Sequence, residues 1–151
     1  MRRGSCVPVI LLLGLGILPA KLSAQQPGGS PSGDRGASIA KLGQNFPNPL
    51  NPITRIPFGF SDGALLNGQV RVTIRIYNVL QQLVAIPVAE NYPEGGGSPP
   101  LDNLVFHEAG DFIAFWDGKD RSGQQVASGL YYYQLLINGR SMWIKKMLVS
   151  K

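Results

Sequence analysis

The sequence predicts an all-β fold: an immunoglobulin-like antiparallel β-sandwich of about seven strands, preceded by a signal peptide and a flexible linker. Three observations carry that reading. Val70, Val72, Ile74 and Ile76 alternate with Arg71, Thr73, Arg75 and Tyr77, the period-2 pattern of a strand with one face in a core and one in water. Asn67-Gly68, Asp117-Gly118 and Asn138-Gly139 punctuate the apolar runs, and such dipeptides suit tight turns between strands. The 19 glycines and 12 prolines in 151 residues are too many for a helical bundle and point to a turn-rich chain.

From the N-terminus, Arg2 and Arg3 precede an apolar run from Val7 to Leu18, of about 12 residues against the roughly 20 of a membrane-spanning helix. Leu22-Ser23-Ala24 offers a small residue for cleavage, so residues 1–24 are expected to be a secretory signal peptide. The formal charge of +5 includes Arg2, Arg3 and Lys21, and losing those three leaves +2. A nucleic-acid partner needs a clustered basic face and is not expected. Membrane contact is expected only through the signal peptide before its removal. Cys6, the single cysteine, lies in the same segment, so the expected mature chain has no disulfide, thiol nucleophile or cysteine-built zinc site. Residues 25–43, rich in Gly, Ser, Pro and Gln, read as a linker, and 44–151 as the domain.

Within the domain, strands are expected near Thr54 to Phe60, Val70 to Tyr77, Leu83 to Val88, Leu104 to His107, Asp111 to Trp116, Leu130 to Ile137 and Met142 to Val149. Pro57 and Pro87 cannot donate to a ladder, so the first strand is expected to be an edge or bulged at Pro57, and the third near its end. Asn138-Gly139 is expected to join the last two strands as a type I′ hairpin. Each face of the last strand carries one lysine, and a bulge at Lys145-Lys146 would reconcile the pattern.

Candidate chemical sites are few. His107 is the sole histidine, so neither a His-based metal cluster nor a Ser-His-Asp centre with spare ligands assembles around it. Asp117 and Asp120, with Gly118 and Gly123, are better read as turn residues than as calcium ligands. Tyr131 and Tyr133 fall on one face and Tyr132 on the other, which favours packing over a continuous aromatic platform. Trp116 reads as a core residue. No cofactor, metal or catalytic residue is expected, and the chain is not expected to be an enzyme.

Three segments resemble known families. Gln44-Asn45-Phe46-Pro47-Asn48-Pro49-Leu50-Asn51-Pro52-Ile53-Thr54 resembles the opening of type A C-terminal sorting domains of the type IX secretion system. Val72-Thr73-Ile74-Arg75-Ile76-Tyr77-Asn78-Val79-Leu80 is similar to that family's V-x-I-x-I-Y-N-V-x-G strand, with Gln81 where glycine is usual. The third segment runs from Trp116-Asp117-Gly118 through Gly123 and Ser128-Gly129-Leu130 to Tyr131-Tyr132-Tyr133 and is followed by Lys145-Lys146-Met147 near the end. Its Trp-Asp-Gly and Ser-Gly-Leu-Tyr parts are shared by sorting domains and by the immunoglobulin-like domain of the flagellar hook-capping protein, while the Asn-Pro opening together with the lysine-rich last strand favours the sorting-domain resemblance. The first resemblance implies a non-catalytic exported domain that directs or anchors protein at the bacterial cell surface, reached through the periplasm. Its partners would be outer-membrane secretion machinery, with Lys145, Lys146 and Lys151 as candidate recognition residues. The second implies a structural module of an extracellular assembly, with surface assembly proteins as partners.

Overall fold

A computed structural model describes residues 39–151. The expected signal peptide and residues 25–38 of the expected linker lie outside the described residues. Nine strands form two sheets: β1 (Ala40–Leu42), β2 (Thr54–Phe60), β3 (Val70–Tyr77), β4 (Leu83–Ala85), β5 (Val88–Glu90), β6 (Leu104–Phe106), β7 (Gly110–Trp116), β8 (Gly129–Ile137) and β9 (Arg140–Val149). One sheet runs β1-β2-β7-β5. The other runs β4-β3-β8-β9, with β6 also paired to β3. All strand pairings are antiparallel, and the architecture is the immunoglobulin-like sandwich that the sequence predicts.

The alternation in the sequence decides which side chains meet between the sheets. Val70, Val72, Ile74 and Ile76 of β3 and Tyr131, Tyr133, Leu135 and Ile137 of β8 are buried against Ile56, Phe58 and Phe60 of β2 and Ala114 and Trp116 of β7. An aromatic cluster fills one end. The Phe106 ring lies 4.6 Å from Phe112 and 5.1 Å from Tyr92, and Phe60 stacks 5.3 Å from Phe112. Trp116 and Tyr131 close the other end at 6.1 Å.

Four expectations need correction. The domain starts before residue 44, because β1 lies inside the stretch read as linker: Ala40 and Leu42 are buried and pair with Phe60 and Phe58. Three residues are too few for periodicity to reveal such a strand. Secondly, the run Leu83 to Val88 is two strands. Ile86-Pro87 interrupts it, and the chain crosses from the β3 sheet (β4) to the β7 sheet (β5), because proline cannot continue a ladder. With β1 and this division, the described residues hold nine strands and not about seven. Finally, the bulge of the last strand sits at Met142, not at Lys145-Lys146: Leu135 faces Trp143 and Leu136 faces Ser141. Trp143, Lys145, Met147 and Val149 therefore share the inner side, with Lys145 half-buried at the sandwich rim.

Pro57 is not at an edge, since β2 lies between β1 and β7 and keeps unbroken register with β7 from Thr54 to Phe60; the irregularity is on its β1 side, with the extra residue in the facing segment. Leu42 faces Phe58 and Phe46 faces Arg55, so three residues on one side oppose two on the other where proline lacks its donor. Asn138 and Gly139 take φ of 50° and 77° and turn β8 into β9. At Gln81 the missing glycine is handled by Asn78, whose Oδ1 accepts from the Leu80 and Gln82 amides at 3.0 Å each, while Gln81 itself has φ 60°.

Candidate functional site

The Asn-Pro segment and the terminal strand are distant in sequence and joined in the fold. Asn45 is buried. Its backbone amide donates to the Tyr133 hydroxyl at 3.1 Å, and its side-chain amide donates to Thr54 Oγ1 at 3.0 Å and the Pro47 carbonyl at 3.1 Å. Tyr133 Oη in turn donates to the Gly43 carbonyl at 2.8 Å, and Thr54 Oγ1 to the Pro47 carbonyl at 3.0 Å. Among the described residues no buried side-chain nitrogen or oxygen, those of this knot included, lacks a partner, which is what makes its burial tolerable. The Phe46-Pro47, Asn48-Pro49 and Asn51-Pro52 peptide bonds are cis.

Beyond the knot, the segment lies along the outer edge of β9. Asn48 Oδ1 accepts from the Leu148 amide at 2.9 Å. The Leu50 amide donates to the Leu148 carbonyl at 2.9 Å, and the Ser150 amide returns a bond to the Leu50 carbonyl at 3.1 Å. Upstream, Gln44 Nε2 donates to the Lys146 carbonyl at 3.0 Å. An uncovered edge strand invites pairing with other chains. Here the C-terminal part of that edge is occupied by the protein's own Asn-Pro segment. Leu50, almost fully buried, anchors it, and Pro49 precedes that anchor.

The three candidate recognition lysines do not form one cluster. Lys146 points outward and is exposed, Lys145 points to the inner side, and Lys151 lies exposed past the strand, its amide donating to Ser128 Oγ at 3.2 Å. An alternating strand separates neighbouring side chains to opposite faces, so only the position of the bulge could have told which lysine faces solvent.

The remaining motif residues are structural. Trp116 is buried and its Nε1 donates to the Lys119 carbonyl at 2.8 Å. Asp117 Oδ1 accepts from the Lys119 amide at 3.1 Å, while Asp120 Oδ1 accepts from the Ser122 amide and hydroxyl and from the Gln124 amide. The Ser122 hydroxyl and the Gln124 amide hold the Asp120 carboxyl below its ordinary range. These two carboxylates thus shape turns, and no group of three or more metal-ligating residues occurs among the described residues. Gly118 has φ 72°, and a Cβ there would sit 2.4 Å from the Pro52 carbonyl oxygen, so its side-chain-free backbone is what lets the two loops touch. Gly123 also has positive φ, and Gly129 begins β8. Tyr77 donates to Gln134 Oε1 at 3.2 Å, and Tyr131 to the Ala127 carbonyl at 3.0 Å.

The acids lie elsewhere. Arg55 grips Glu90 in a two-pronged pair, Nε to Oε2 at 2.8 Å and Nη2 to Oε1 at 2.9 Å, across the outer face of the β7 sheet. The guanidinium holds the Glu90 carboxyl below its ordinary value. His107 is exposed, and its Nδ1 lies 2.6 Å from Glu94 Oε2. Burial raises the Glu94 carboxyl, but the His107 amide and ring and the Tyr92 hydroxyl outweigh it, and the net shift is downward. A carboxyl lowered by folding contributes stability above its unfolded pKa and loses it as pH falls through the folded value. Urea unfolding midpoints are accordingly expected to hold from neutral pH to about 5 and to fall below about 4. Glu90→Gln should flatten that acid limb; an unchanged limb would separate it from Glu90.

A segment of PorU from Porphyromonas gingivalis, in its dimeric latent form, has a similar fold: the match has a TM-score of 0.52 and 20% identity and covers 73% of this chain. This chain spans only 9% of that one. The alkylpurine DNA glycosylase AlkC of Pseudomonas fluorescens, bound to DNA containing an abasic site analog, gives a weaker match: TM-score 0.45, 10% identity, 76% of this chain and 31% of that one. At these identities only the PorU match bears on the fold, and neither bears on activity. No family model matches the chain. No curated protein matches it.

Proposed function

We propose that this protein is an exported, non-catalytic sandwich domain that directs or anchors protein at the bacterial cell surface through a type IX-like secretion pathway. The observation that carries the reading is the junction of the Asn-Pro segment with β9. The resemblance to sorting domains draws on both ends of the domain, and in this fold Asn48, Leu50 and Gln44 hold the terminal strand by hydrogen bonds. A translocation machine that recognises a folded C-terminal strand would meet it in one fixed conformation, with Lys146 and Lys151 exposed. The sandwich fold that this reading requires is the one the chain shares with a segment of PorU. Partners under this proposal are proteins of the outer-membrane secretion machinery.

The test places a passive secreted reporter between residues 1–38 and Ile39–Lys151 in a host that has the translocon. The boundary must precede Ala40, because β1 belongs to the sandwich. Surface exposure of the reporter, lost when the translocon is deleted, is the expected result. Replacing Lys146 and Lys151 with Gln should leave stability within about 0.5 kcal/mol, since both are exposed, and should reduce surface delivery. A folded reporter fusion that stays periplasmic in the competent host would overturn the sorting role and favour a structural module of an extracellular assembly, similar to the hook-cap domain.

A further inference from the structure

The two outer faces of the sandwich differ in charge. On the β7 sheet the charged side chains are paired, Lys41 with Asp111 at 2.7 Å and Arg55 with Glu90 at 2.8 Å. The strands of the opposite sheet, β3, β4, β6, β8 and β9, contain no Asp or Glu. Alternation directs Arg71 and Arg75 of β3 and Lys146 of β9 to its outer face, and Arg140 is exposed at the start of β9. None of these four cations forms a salt bridge among the described residues.

The same face is apolar along its β9 side and at the β3–β4 turn. Ile144 and Val79 are each 60% exposed, and Leu148 is 45% exposed. Between the β3–β4 turn and β9 lies an open groove of about 550 Å³ bordered by Tyr77, Val79, Tyr132, Gln134 and Ile144. By register Arg75 and Lys146 flank the groove, and aromatic and aliphatic groups beside unpaired cations are the composition of a protein-binding surface, in which apolar anchors supply affinity and charges supply steering and choice of partner.

We propose that this face docks an acidic protein surface that places an apolar side chain in the groove and carboxylates against Arg75 and Lys146. Charge argues against a second copy of the chain, since two such faces would oppose cation to cation. A lipid surface fits less well, because Gln134 stands in the middle of the face with its amide nitrogen donating to Ser141 Oγ at 2.8 Å and its amide oxygen accepting from Tyr77. A polar amide fixed at the centre suits a partner that offers hydrogen bonds and not acyl chains. The inference depends on the sheet alone, so its failure and the failure of the export proposal are separately readable.

The experiment titrates the ¹⁵N-labelled full-length protein with a soluble peptide of glutamates flanking a Leu-Phe centre. Its lysine-for-glutamate counterpart and phosphatidylglycerol vesicles are titrated in parallel. The acidic peptide is expected to bind about tenfold or more tightly than the basic one, weakening as salt rises and shifting the amide resonances of Tyr132, Ile144 and Lys146. Arg75→Glu combined with Lys146→Glu should weaken it by about tenfold, whereas Lys119→Gln, in the β7–β8 loop, should not. If the double variant lowers the thermal midpoint, Arg140→Glu with Lys146→Glu, both at exposed positions, takes its place. Equal affinity for the two peptides, binding confined to vesicles, or peptide-independent dimerisation would each overturn the proposal.

Discussion

Trp116→Ala is expected to destabilise the protein by about 3–5 kcal/mol, the range for truncating a buried large aromatic side chain. Trp116 is 3% exposed, pairs with Thr54 of β2, and packs at a tilt against Tyr131 at the end of the sandwich opposite the phenylalanine cluster. Its indole N–H also holds the Lys119 carbonyl, so the substitution opens a cavity and releases the turn after β7 together. Trp116→Phe retains most of the volume and should cost less. Denaturant unfolding reads both. A loss below about 1 kcal/mol for the alanine variant would mean that the end of the sandwich collapses around the vacancy, and that the Trp-Asp-Gly segment is held by its turn hydrogen bonds instead.

Tyr133→Phe is expected to cost about 2–4 kcal/mol although it removes a single oxygen. Tyr133 is fully buried, and its hydroxyl both donates to the Gly43 carbonyl and accepts the Asn45 amide. Phenylalanine would fill the same space and leave two backbone groups without partners, the Asn45 amide at a buried position and the Gly43 carbonyl at a half-buried one, and each such buried orphan costs about 1–3 kcal/mol. The loss would fall on the Asn-Pro segment first, so hydrogen exchange at Asn45 and Leu50 should quicken more than exchange in β3. Tyr77→Phe is the control. Its hydroxyl reaches Gln134 on the outer face of the sheet, and a change within about 0.5 kcal/mol is expected there. Equal losses for the two variants would mean that the cost is that of removing a tyrosine hydroxyl anywhere in the sheet and not of breaking the knot.

Much of this architecture was legible in residue order, and the limits of that legibility are physical. The strict alternation of Val70 to Tyr77 and of Leu130 to Ile137 determined which side chains enter the core, because a strand has only two faces. Asn138-Gly139 determined the last hairpin, since those residues take positive φ at little cost. Asp117 and Asp120 read as turn residues and are turn residues. Tertiary structure alone decided the rest. Whether Ala40 to Leu42 is linker or strand depends on Phe58 and Phe60 lying beside it. Which sheet receives Val88 depends on where the chain goes after Pro87, and which lysine of the last strand faces water depends on an extra residue at Met142. The meaning of Asn45 waits on Tyr133, because hydrogen bonds between segments some 90 residues apart have no local periodicity to announce them. Pattern within a strand is local and therefore readable, whereas the closing of an edge by a distant segment comes into existence only when the two sheets pack.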